Sequence, residues 1–240
     1  MTGAGRGNGA AIARGLAAAG APVIVTDVDA TMAEETAATI RAGGGDAHAF
    51  ALDVTDAAAC DALAARVARE IGPLRILVNN AGIYLRGGFL GPEARERWRR
   101  MLDVNIDGMF NVTMAFLDQI RSTRGAIVNM GSTNSFVAPA GSGAYPVTKG
   151  GVAQFTRALA SELAAEGVRV NALAPGIIAT AMTEVTRADP RTLENYLVHV
   201  PMRRVGEPEE LVGPVVFLCS DAASYVTGAI LPVDGGYLTS

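Results

Sequence analysis

Short runs of aliphatic and β-branched residues alternate with longer, Ala-rich stretches along this chain. The runs Pro22–Asp27, Ala47–Leu52, Ile76–Asn79, Ala126–Met130, Val168–Leu173 and Ile230–Val233 are continuously apolar rather than alternating. That is the pattern of strands covered on both faces, as in a parallel sheet. Stretches such as Asp56–Ile71 and Gly150–Ala165 fall between them and read as helices. The alternation predicts right-handed crossovers and an α/β, doubly wound parallel sheet. No repeat, low-complexity segment or linker interrupts it, so one domain is expected over 1–240. The segment Thr180–Pro208 breaks the rhythm: it is polar, holds Pro190 and Pro201, and separates the last two strands. It is expected to be a lid or substrate loop, about 180–208.

Two features at the start suggest a dinucleotide. Thr2-Gly3-Ala4-Gly5-Arg6-Gly7-Asn8-Gly9 runs into the helical stretch Ala10–Ala19. Glycines there let the backbone turn tightly and let a pyrophosphate approach a helix N-terminus, whose free N–H groups favour anions. Glycine motifs are common by chance, and this one is trusted when a strand leads into it. Here only Met1 and Thr2 do, so the first strand is expected to be missing or truncated, with the turn poorly held. Asp27, ending the run Val23–Asp27, supports the cofactor reading. A carboxylate about 20 residues after the glycines is placed to accept hydrogen bonds from the adenosine ribose, and it repels a 2′-phosphate. NAD is therefore expected, with NADP the lesser option through Arg6.

Composition adds exclusions. Half of the 240 residues are hydrophobic, enough for a sizeable core, and the net charge of −4 argues against nucleic acid or an anionic membrane as partner. Cys60 and Cys219 are far apart and read as buried thiols in a reducing, cytoplasmic setting. His48 and His199 are isolated, so no metal site is expected. No apolar run is long enough to span a membrane.

The candidate chemistry lies in the middle of the chain. Tyr145 and Lys149 share one face of a helix, one turn apart. A free tyrosine, with a pKa of about 10, is a poor base at neutrality; a nearby ammonium and a cationic nicotinamide would favour its phenolate. Pro146 is tolerated in a first helical turn. Ser132 follows the strand Ala126–Met130, at the sheet edge where open α/β sheets bind ligands. Asn79-Asn80-Ala81-Gly82 ends another strand. Asn105 sits in a helical stretch, where Asn is locally unfavourable unless exposed to water or otherwise employed.

These motifs, in this order, resemble those of the short-chain dehydrogenases/reductases, from Thr2 to about Tyr237. The resemblance implies a Rossmann-like sheet of order 3-2-1-4-5-6-7. It implies cofactor contacts at Gly3, Gly7, Gly9, Asp27, Asp53, Val54, Asn79, Ala81, Gly82, Pro175, Gly176, Ile178 and Thr180, besides Tyr145 and Lys149. It implies that Tyr145 exchanges a proton with the substrate oxygen and that Ser132 orients that oxygen. Lys149 would hold the nicotinamide ribose, and Asn105 a water of a proton relay. The expected partner is a small alcohol or ketone, handled by a homotetramer that pairs through Asp107–Arg121 with Gly150–Ala165 and through Pro208–Ser220 with Ile230–Val233. Tyr84, Asn134, Tyr196 and Arg203 are the candidate substrate-pocket side chains. A polyol or sugar-like secondary alcohol is favoured. An acyl-carrier-protein ketone reductase is the alternative, docking on Arg95, Arg97, Arg99 and Arg100 if these are more than a solvated face. A non-catalytic scaffold is a third reading, resting on the damaged start.

Overall fold

The computed structural model describes residues 1–239. Its strands are β1 (Val23–Asp27), β2 (Ala47–Ala51), β3 (Ile76–Asn79), β4 (Ala126–Met130), β5 (Arg169–Pro175) and β6 (Ile230–Val233). The helices are α1 (Gly7–Ala18), α2 (Ala30–Ala42), α3 (Ala57–Glu70), α4 (Ala94–Leu102), α5 (Gly108–Ser122), α6 (Tyr145–Leu163), α7 (Glu184–Ala188), α8 (Pro190–Leu197) and α9 (Val212–Cys219). All strand pairs are parallel, in two groups: β2 beside β1, and β3-β4-β5-β6.

The place between β1 and β3 is where the expected first strand belongs, and it is filled. The Met1 nitrogen donates to Ile24 O at 2.8 Å, Thr26 N to Met1 O at 3.0 Å, and Ala4 N to Thr26 O at 2.9 Å. On the other side Thr2 N donates to Val78 O at 3.1 Å. Met1–Ala4 thus reaches both neighbours and joins the two strand groups in the expected order. The expectation of a poorly held glycine turn is corrected by these bonds, and the scaffold reading loses its basis.

Strand alternation distributes the core over both faces. Val25, Val78, Val128 and Leu173 point to one side, where Ile12 and Leu16 of α1 and Val215 and Leu218 of α9 cover them. Ile24, Leu77, Ile127 and Val170 point to the other, beneath Leu63 and Val67 of α3, Val112 and Phe116 of α5 and Leu159 of α6. Helix α6 starts at Tyr145, in agreement with the expected placement of Tyr145 and Lys149 at a helix start, and Pro146 fits its first turn. The segment 180–208 is largely helical rather than an open loop, formed by a short 3₁₀ turn (Ala181–Thr183), α7 and α8. No helix among the described residues is long and apolar enough to cross a membrane.

Candidate active site

A cleft of about 1580 Å³ runs along the carboxyl ends of the strands, from Asp27 and Val54 to Tyr145 and Tyr237. One end is built on the glycine turn. Gly3 and Gly7 adopt φ of +58° and +53°, which L side chains rarely take. A Cβ on Gly9 would stand 2.0 Å from Gly3 O, so the turn closes on a bare α-carbon. Asn80 fastens it: Nδ2 donates to Thr2 O at 3.0 Å and Gly3 O at 2.8 Å, while Thr2 Oγ1 accepts from the Asn80 and Ala81 amides. No side chain caps α1, so its first amides stay available beside the cleft.

Asp27 is tied into the same turn. Its Oδ2 accepts from Gly5 N at 2.9 Å and its Oδ1 from Asp29 N at 3.1 Å. Both bonds orient the carboxylate, which lines the cleft and keeps lone pairs for further donors. Asp53 accepts from Thr55, and Val54 is buried with its carbonyl held by Asn111 at 3.1 Å. At the far side of the turn, a Cβ on Gly7 would lie 3.3 Å from the Thr180 methyl. Arg187 holds the Thr180 carbonyl at 3.1 Å. Pro175, Gly176 and Ile178, from the end of β5, line the floor.

Ser132, Tyr145 and Lys149 meet at the other end. The Ser132 hydroxyl stands close enough to the Tyr145 phenol to favour its phenolate, and its Oγ accepts from Asn134 N at 3.1 Å. Lys149 is buried, donates to Met130 O at 2.7 Å, and lies 5.7 Å from the centre of the Tyr145 ring. Burial pushes the Tyr145 phenol up to about 12, an effect that the Ser132 bond only partly offsets. Burial also brings the Lys149 ammonium down to about 8. Lys149 is not among the groups that shift the phenol here, where burial dominates; the cationic nicotinamide that the expectation also invoked adds its charge only when bound.

Asn105 lies in one π-helical turn, Asp103–Asp107, between α4 and α5. Such turns displace a side chain out of the helical register and often mark functional sites. The side chain is 2 % exposed, so exposure to water does not explain it. Its Oδ1 accepts from Ile83 N at 2.8 Å, and its Nδ2 donates to Ile83 O at 2.9 Å and Thr148 Oγ1 at 3.1 Å. Gly82 separates it from Lys149: a Cβ there would stand 3.2 Å from Asn105 Oδ1 and 3.6 Å from Lys149 Nζ.

The family model described as enoyl-(acyl carrier protein) reductase matches residues 3–238. Galactitol 2-dehydrogenase (L-tagatose-forming) of Cereibacter sphaeroides is 46 % identical over 240 residues, covering 99 % of this chain and 93 % of that protein. The chain belongs to the short-chain dehydrogenases/reductases. A 3-oxoacyl-[acyl-carrier-protein] reductase of Synechocystis is 40 % identical over 239 residues, 98 % of this chain and 94 % of its own. A gluconate 5-dehydrogenase of Burkholderia cenocepacia, solved with NADP and tartrate, superposes with a TM-score of 0.95 at 34 % identity. That alignment covers 100 % of this chain and 94 % of the other.

This short-chain dehydrogenase is thus an oxidoreductase acting on alcohol or ketone carbon with a nicotinamide cofactor. The cradle fits such a group: bare α-carbons at Gly3, Gly7 and Gly9, an oriented carboxylate at Asp27, and a cleft continuous to Tyr145.

Two expected site residues lie elsewhere. The Asn79 side chain turns into the core, donating to Thr113 Oγ1 and Asn129 Oδ1 at 2.9 Å each, so it does not line the cleft. Strand alternation explains this, since Asn79 and Asn80 face opposite sides. Arg203 borders a separate shallow groove beside α8. Of the four arginines on α4, Arg97 is not solvated. It bonds Glu93 at 3.1 Å and Pro92 O at 2.5 Å, and a Cβ on Gly87 would lie 2.8 Å from its Cζ. A Cβ on Gly143 would in turn lie 2.3 Å from Gly87 O. The guanidinium, the loop after β3 and the turn before Tyr145 therefore interlock. His199 falls in the stretch expected to line the pocket, whereas nothing in the sequence marks Tyr237 as a pocket residue. Tyr237 stacks on Tyr196 at 4.9 Å with planes 9° apart, and His199 meets its edge at 6.5 Å. On the opposite wall the Tyr84 ring lies 4.8 Å from that of Tyr145.

Proposed function

We propose that this enzyme interconverts a secondary alcohol of a small polyhydroxylated molecule and its ketone, with NAD as the favoured cofactor. The contact among Ser132, Tyr145 and Lys149 at one end of a dinucleotide-sized cleft carries the reading. The relatives named as galactitol and gluconate dehydrogenases support the substrate class. In this reading residues 1–240 form one domain with 180–208 as its lid. When bound, the nicotinamide ring accepts or delivers the hydride. Tyr145 Oη takes or returns the proton of the substrate oxygen, which Ser132 Oγ orients. Lys149 places its charge beside the reacting centre, and Asn105 holds the Ile83 backbone that borders it. Oxidation of galactitol, glucitol and gluconate with each cofactor, followed at 340 nm, tests the proposal. A chain that oxidises none of them while reducing 3-oxoacyl thioesters belongs to the second reading. That reading is supported by the Synechocystis relative and by exposed Arg95, Arg99 and Arg100 on α4, of which Arg100 lines the cleft.

The high phenol pKa sets a direction for pH. As a base Tyr145 must be deprotonated, and as an acid protonated. With a pKa near 12 it is protonated throughout the neutral range. We expect kcat/KM for alcohol oxidation to climb steadily from pH 7 to 10, while ketone reduction stays level to at least pH 8. A level oxidation profile above pH 7 would show that a cofactor-bound phenolate already dominates.

Cofactor choice has its own test. The gluconate 5-dehydrogenase structure holds NADP, whereas Asp27 presents a fixed carboxylate here. Asp27→Ser is expected to raise the NADP-to-NAD ratio of kcat/KM by about tenfold or more, since one unfavourable charge contact of about 1.4 kcal/mol corresponds to tenfold. A wild-type enzyme that already prefers NADP would refute the assignment.

For assembly we infer a homotetramer. Phe110 and Met114 of α5, 48 % and 47 % exposed, support pairing through α5 and α6. Light scattering at micromolar concentration tests it.

A further inference from the structure

The wall facing Tyr145 holds one strong cation besides Lys149. Arg86 follows β3 and lines the cleft. Its guanidinium lies over the Tyr84 ring, 5.4 Å from the centroid, and the Tyr84 ring packs on Tyr145 at 4.8 Å. Its Nη2 donates to Thr186 Oγ1 of α7 at 2.6 Å, which joins the two walls at the mouth of the cleft. A guanidinium has five N–H donors, and this hydroxyl takes one. Apart from the His199 imidazole, the rest of the substrate side carries uncharged hydrogen-bonding groups, among them Ser132, Thr133, Asn134, Thr192, Asn195 and Tyr196. No carboxylate lines the cleft from 83–86, 132–145 or 180–199. The acids that do line it are Asp27 and Asp53 at strand ends, and Asp103 and Asp107 on the π turn.

We propose that Arg86 selects a substrate with a carboxylate at one end of a hydroxylated chain, an aldonic acid rather than a neutral polyol. The inference rests on the dehydrogenase reading above and narrows its substrate. A planar guanidinium matches a carboxylate in two parallel hydrogen bonds, which gives direction as well as charge. The stacked Tyr84 ring holds the guanidinium one ring away from Tyr145, so the carboxylate and the oxidised carbon sit apart on the same chain. The neutral wall serves the intervening hydroxyls. A phosphate dianion is less suited, because one cation and one hydroxyl leave most of its acceptors unmatched.

The test compares matched hexonates and hexitols (gluconate with glucitol, galactonate with galactitol), and adds glucitol 6-phosphate and 3-hydroxybutyryl-CoA. Wild-type kcat/KM should favour the hexonate at least tenfold. In Arg86→Gln the hexonate-to-hexitol ratio should fall about tenfold to a hundredfold, chiefly through KM, as expected for a lost bond to a charged group. Arg86→Lys should recover part of it. Unchanged cofactor quenching and melting temperature would show that the variant is folded. A wild-type preference for hexitol or for the phosphate ester, or an unchanged ratio in Arg86→Gln, overturns the proposal while leaving the dehydrogenase reading in place. Turnover of the thioester alone overturns both.

Discussion

Tyr145→Phe should lower turnover by about a thousandfold or more, the upper part of the range for a lost general acid or base. The loss should appear in kcat. Phenylalanine keeps the ring that packs on Tyr84 at 4.8 Å and the start of α6, so folding should persist. It removes the one hydroxyl positioned by Ser132 to exchange the proton. NADH binding, read by fluorescence, should change by less than threefold. A variant with more than a tenth of wild-type turnover would remove Tyr145 from the mechanism. Equal loss of cofactor binding would instead point to a disturbed fold.

Gly9→Ala should disable the opposite end. The new methyl would meet Gly3 O at 2.0 Å, Asn80 Nδ2 at 2.7 Å and Ala4 Cα at 2.9 Å. Two of these are backbone atoms of the glycine turn, and the third is the side chain that fastens it. None can withdraw without releasing the segment that bridges β1 and β3. Overpacking of this kind costs about 1–3 kcal/mol and sometimes more. Cofactor affinity should fall about a hundredfold as the turn is displaced, checked by NADH titration. Gly213→Ala is the contrast. It lies in α9 with nothing within 4 Å of the added methyl, and should raise stability by up to about 1 kcal/mol. Similar melting temperatures for the two variants would contradict the steric argument.

The strands were legible because both of their faces are buried, which leaves a continuous apolar run. Three of the six match their expected bounds, and the other three depart only at their ends. Strand β5 runs on through Ala174 and Pro175, residues without strand preference that are held by pairing to β6. The start of α6 was legible because Tyr145 and Lys149 stand one turn apart and Pro146 fits a first helical turn. Ser132, Tyr145 and Lys149 could be read from spacing and resemblance, since they share one strand end and one helical turn. Asn79 was misjudged because a motif carries no orientation; counting alternate faces from Val78 would have turned it inward and Asn80 outward. Tyr196 is a pocket candidate in the sequence, but its stacking on Tyr237 is not readable there. The two rings come from α8 and from the turn after β6, and only the folded chain brings them together. The short bridge Met1–Ala4 is hidden for a related reason: four residues are too few for a periodicity, yet enough for four backbone hydrogen bonds.

The interlock of Arg97, Gly87 and Gly143 also bears on how this pocket can be remade. Residues 84–93 and 139–143 are distant in sequence but share one steric solution, each leaving room for the other's backbone. Transplanting either loop alone from a dehydrogenase of different specificity would bring a side chain against a carbonyl or strand a guanidinium. Recombination between relatives should therefore yield active chimaeras chiefly where both loops come from the same parent.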